Sequence, residues 1–157
     1  MKNNRSLAEK AKAYAFLLLK YRLRSEKELF SRMSRKKFPN QVIRETIDFL
    51  KEKKFIDDTV FARAWVASRW QKAIGPRRLR QELRLKGIDK ELIAQSLEGL
   101  SESSSQREAI RDIAQSRLAR MKGLDPRTAR RRLYAYLVRR GFSPDEILDC
   151  LTENTTS

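Results

Sequence analysis

Apolar residues recur along this chain at spacings of three and four, and β-branched alternating runs are absent. The pattern predicts helices throughout. Gly75, Gly87, Gly99, Gly123 and Gly141 fall where helices should stop or loops begin, and Pro76, Pro126 and Pro144 where helices should start. Proline's fixed φ suits a first helical turn, and glycine suits the residue past a helix end. Pro39 precedes a further apolar-periodic run. Acidic and hydroxyl residues mark several starts. Ser25 and Glu28 form a capping box, and Ser143-Pro144-Asp145-Glu146 has the same grammar. Asp58, Asp89 and Asp125 are expected to cap the helices that follow them.

The helices group in threes. Aligning Lys37-Phe38, Gly87-Ile88 and Gly141-Phe142, at offsets of 50 and 54 positions, superposes four apolar sets. These are Leu29, Leu79 and Leu133; Met33, Leu83 and Leu137; Ile43, Ile93 and Ile147; and Ile47, Leu97 and Leu151. The expectation is an all-α fold of three tandem three-helix repeats in an elongated, curved array, each unit burying a face against its neighbour. The boundaries read as 1–56 for the first repeat with an N-terminal arm, 57–100 for the second and 107–157 for the third. A linker over 101–106 lies within the polar stretch GLSESSSQ and is the expected hinge.

Charge adds a partner class. The 157 residues include 36 Lys and Arg against 20 Asp and Glu, a net charge of +16. Such an excess points to a polyanion, nucleic acid or nucleoprotein. Histidine is absent, and Cys150 is the only cysteine, which removes the commonest general base and any cysteine-cluster zinc site. Within ILDCL, Cys150 is expected to be a small buried hydrophobe. No phosphate-binding GxxxxGK[ST] loop is present. The run YAFLLL at 14–19 is too short to span a bilayer and sits between lysines. The expectation is a cytoplasmic monomer without cofactor, metal or catalytic residues.

Residues 54–88 carry the most specific pattern: Phe55, Asp57, Asp58, Phe61, Ala62, Gly75, Pro76, Leu79, Glu82, Leu83, Gly87 and Ile88. In this order and spacing they resemble the signature of the RecX family, and the Ser25-to-Leu29 helix start fits as well. The resemblance covers roughly residues 11–154. Lys54 and Lys37 depart from it, standing where glycine is usual. The resemblance implies tandem three-helix repeats without catalysis of their own. It further implies binding to the recombinase RecA on single-stranded DNA, in the groove of its filament, with suppression of ATP hydrolysis and strand exchange. Sequence-independent contact with single- and double-stranded DNA would accompany this. A stand-alone basic DNA-binding module, a transcription or nucleoid factor, is the alternative.

Candidate contact residues are cations on helix faces. Arg77, Arg80 and Arg84 share a sector roughly 60° wide beside Leu79 and Leu83. Arg127, Arg130, Arg131, Arg132, Arg139 and Arg140 lie between Pro126 and Pro144 with no acid among them. The planar guanidinium fork suits phosphate or carboxylate. Lys86 and Trp70 complete the set with Arg69, which falls on an apolar sector and is expected to pair with Asp57 or Asp58. Trp65 is expected in the core, and Trp70 on the edge of its helix.

Overall fold

The computed structural model describes residues 2–100 and 102–153. Nine helices occupy them: α1 (Lys2–Tyr21), α2 (Glu26–Arg35), α3 (Asn40–Glu52), α4 (Asp58–Trp70), α5 (Pro76–Leu85), α6 (Lys90–Ser96), α7 (Ser103–Ala119), α8 (Pro126–Arg140) and α9 (Pro144–Glu153). They pack as three trios, α1–α3, α4–α6 and α7–α9, each around its own apolar cluster. The surface of 10769 Å² exceeds the roughly 8200 Å² of a compact 18.5 kDa monomer, as an elongated array requires. What reads as an N-terminal arm is the start of α1. Ser103–Gln106, read within the linker stretch, is the first turn of α7, because Gln106 turns inward and accepts from the Ser143 amide at 3.3 Å. Met1, Ser101 and residues 154–157 lie outside the described residues.

The threefold register is physical. All twelve residues of the four superposed sets are buried, from 0% exposure at Leu29, Leu79 and Leu133 to 7% at Ile47 and Leu151. Burying each such side chain is worth about 1.5–3 kcal/mol, so these positions anchor each trio. The loop before the third helix is the same device each time. Lys37, Gly87 and Gly141 have φ of 66°, 79° and 94°. The next amide bonds back five residues: Phe38 to Met33, Ile88 to Leu83 and Phe142 to Leu137, at 3.3, 3.1 and 3.2 Å. This is a Schellman helix end, which needs a left-handed residue.

Two lysines hold that conformation. Lys54 adopts φ 57° at the end of α3, where Phe55 N–H bonds to Leu50 O at 2.8 Å. A side chain there costs about 1–2 kcal/mol. Lys54→Gly is therefore expected to raise stability by about 0.5–1 kcal/mol, part of the relief being lost to a freer unfolded chain. A urea midpoint no higher than that of the parent would contradict it.

The caps at Ser25, Asp89 and Asp125 form as expected. The pair at α4 divides differently. Asp57, not Asp58, caps α4, accepting from Thr59 at 2.7 Å and Val60 at 3.4 Å. Asp58 instead accepts from the Glu26 amide at 2.9 Å and so caps α2 of the first repeat. The adjacent carboxylates point apart, and each serves a different helix start. Cys150 is buried in the third cluster.

Candidate functional site

Two junctions make the trios one surface. Between the first and second, Ser25 Oγ accepts from the Glu28 amide and donates to Lys86 O at 2.7 Å. Glu28 accepts from both Arg22 terminal nitrogens, at 2.9 and 3.0 Å, and from Lys86 Nζ. Burial pushes the Glu28 carboxyl up, but bonds to Arg22 and Lys86 outweigh it and hold the group at about 2. Asp58 at the same junction is raised, chiefly by burial.

Between the second and third trios the backbones touch. Gly75 N–H donates to Arg140 O at 2.7 Å and Arg77 N–H to Gly141 O at 3.0 Å. Trp70 packs on both neighbouring clusters, its ring 6.2 Å from that of Phe142. Glu82 braces the inner side, accepting from Trp65 Nε1 at 3.0 Å, Arg69 Nε at 2.8 Å and Arg78 Nε at 3.2 Å. Burial raises its carboxyl, and these three donors hold it below the usual range. Arg69 thus pairs with Glu82 rather than with Asp57 or Asp58, because α4 and α5 bring them face to face.

Several candidate cations are occupied inside the molecule. Lys86 binds Glu28 and lies 4.6 Å from the Trp65 ring, which is half-buried. Arg130 donates to Leu151 O. Arg140 donates to Lys72 O and stacks 5.4 Å from the Tyr136 ring. These join helices or repeats.

The remaining seven are exposed: Arg77, Arg80, Arg84, Arg127, Arg131, Arg132 and Arg139. None of the seven forms an ion pair among the described residues. The α5 sector splits between two hollows. Arg80 and Arg84 border one of about 290 Å³ with Lys90, above Ile88 and Ile93. Arg77 borders another of about 660 Å³, whose far wall is Val138 and Arg139 of α8. Arg127, Arg131 and Arg132 stand on the open face of α8. Arg78, absent from the sequence-based set, joins the second hollow and donates to Arg139 O at 3.3 Å. Its signal was the i,i+4 spacing to Glu82.

Planar cations without ion pairs among the described residues, spread over two helices of adjoining repeats, suit a long anionic surface rather than a small molecule. Among the described residues no group of three His, Cys, Asp or Glu could hold a metal, and no helix is long and apolar enough to cross a membrane.

Residues 11–50, 57–97 and 105–151 match family models described as the first, second and third three-helix domains of RecX. Proteins named regulatory protein RecX are similar over most of the chain. That of Mycobacterium sp. (strain JLS) is 35% identical over 150 residues, covering 92% of this chain and 81% of the relative. That of Thermobifida fusca is 34% identical over 138 residues, covering 87% and 74%. That of Bacillus licheniformis is 39% identical over 136 residues, 86% of this chain, and the match spans about half (51%) of that relative. The crystal structure of RecX from Lactobacillus salivarius has a TM-score of 0.81 at 25% identity, covering 95% of this chain and 97% of that one.

Proposed function

This chain belongs to the RecX family of regulatory proteins, and from that membership we propose that it regulates RecA by binding RecA and RecA–single-stranded DNA filaments. In this reading it inhibits RecA's ATPase, strand exchange and filament extension during recombination and SOS repair. The observation that carries the proposal is the set of exposed arginines on α5 and α8 without ion pairs among the described residues. An elongated array can lie along a filament groove, and those guanidinium groups meet phosphates or carboxylates there. DNA contact by this surface is to the backbone and independent of sequence.

The test is RecA's single-stranded-DNA-dependent ATP hydrolysis in the presence of purified protein. Inhibition is expected well below one molecule per RecA monomer. Unaltered hydrolysis even at parity overturns the proposal.

A variant locates the surface. With Arg127, Arg131 and Arg132 replaced by alanine, filament binding is expected to weaken, with helicity unchanged by circular dichroism. The slope of log affinity for DNA against log salt should fall by about 2–3, close to one per lost phosphate contact. Unchanged inhibition and slope would place the contact elsewhere.

A further inference from the structure

The hollow between the second and third repeats differs from the open face of α8 in one respect: it is part apolar. Leu85 is 69% exposed and Val138 38%, and both line it with Arg77, Arg78, Gln81 and Arg139. Its walls are fixed in advance by the backbone bonds from Gly75 to Arg140 and from Arg77 to Gly141, and by the bond from Arg78 to Arg139 O. A rigid cleft loses little freedom when filled. Its volume of about 660 Å³ falls within the usual range of binding clefts.

We infer that this inter-repeat groove is a docking site for an acidic protein segment with apolar anchor residues, seated on Leu85 and Val138 between Arg77 and Arg139. Charge complementarity selects an acidic occupant: Arg77 and Arg139 form no ion pair among the described residues, and Glu82, the carboxylate that lines the groove, is already matched by Arg69 and Arg78. The two aliphatic side chains select protein over nucleic acid. A phosphodiester backbone would satisfy the arginines and leave Leu85 and Val138 uncovered, whereas a Leu or Phe flanked by Glu covers them. The inference deepens the reading of the chain as a RecA-filament binder by assigning this groove to the filament's protein and leaving the open face of α8 to DNA.

The probe is a fluorescein-labelled acidic peptide of glutamates with leucines at i and i+4, titrated by anisotropy with the full chain. A single-stranded oligothymidylate is titrated in parallel. The variant is Leu85→Ser with Val138→Ser, which leaves net charge unchanged and alters only exposed positions. Peptide affinity is expected to fall about tenfold, one decade for roughly 1.4 kcal/mol, with oligothymidylate affinity unchanged. A second peptide with serine for leucine should bind the parent as weakly as the first binds the variant. Failure of the parent to bind the first peptide, equal affinity of parent and variant, or equal loss of oligothymidylate binding overturns the inference. Parent and variant are then titrated against RecA–DNA filaments. A parent that ignores filaments yet takes the peptide removes the RecA reading and leaves the groove assignment standing.

Discussion

Gly75→Ala is expected to cost about 3 kcal/mol of stability, the upper end of the overpacking range, and to part the third repeat from the second. The backbone of Gly75 is ordinary, with φ −75°, so alanine meets no conformational penalty there. The obstacle is space. A Cβ on Gly75 would lie 2.5 Å from the carbonyl carbon and oxygen of Gly141 and from the amide nitrogen of Phe142. These are backbone atoms and cannot rotate aside. Relief requires the chains to separate, which breaks the Gly75–Arg140 and Arg77–Gly141 bonds and unseats Trp70 from Phe142. Gly123→Ala is the control, since an added Cβ there meets nothing within 4 Å; its effect should be neutral or slightly stabilising. Urea unfolding of the two variants, with small-angle scattering to read the separation, checks the expectation. Equal midpoints would mean that this backbone contact does not hold the repeats together in solution. Because the groove and the arginines of α5 and α8 share this junction, the proposed function predicts that Gly75→Ala also weakens inhibition of RecA far more than Gly123→Ala.

Gly75 shows what was legible in the chain and what was not. As punctuation before Pro76 it reads as a helix start, and that is correct. Its tightest constraint comes from residues 66 and 67 positions later, and local pattern carries no trace of such an approach. The trios were legible for the opposite reason: Leu29, Leu79 and Leu133 and their companion sets answer to helical period, which acts within a few turns. The α4 cap was half legible. An Asp-Asp pair announces a helix start, but which carboxylate turns inward depends on the Glu26 amide, supplied by another repeat. Lys86, Arg130 and Arg140 look like free cations because their partners are distant, and for two of them the partner is a backbone carbonyl, to which every residue type contributes equally. Arg69 was correctly expected to seek a carboxylate. Glu82 lies 13 residues away across a turn, beyond the reach of one helix's periodicity.

The junction between the first and second repeats should be lost selectively in acid. Glu28 is held at about 2 in the folded chain against 4.5 when free. A carboxyl depressed on folding contributes its stability fully above the free value and loses it as pH falls through the folded one. The window is therefore pH 4.5 down to 2. The shift corresponds to about 3 kcal/mol, and solvent screening at this partly open junction reduces it to about 2 kcal/mol. Asp58 works in the opposite sense: its burial-raised carboxyl is easier to protonate when folded, so acid relieves part of its cost. Glu28→Gln separates the two. Glutamine can serve at the third position of a capping box, so the Ser25 helix start is kept while the charge facing Arg22 and Lys86 is lost. At pH 7 the variant should be about 2 kcal/mol less stable than the parent, and the difference should shrink steadily towards pH 2. Titrations common to both proteins cancel in that difference. A gap that stays constant through the window would show that Glu28 holds the junction by its shape and not by its charge.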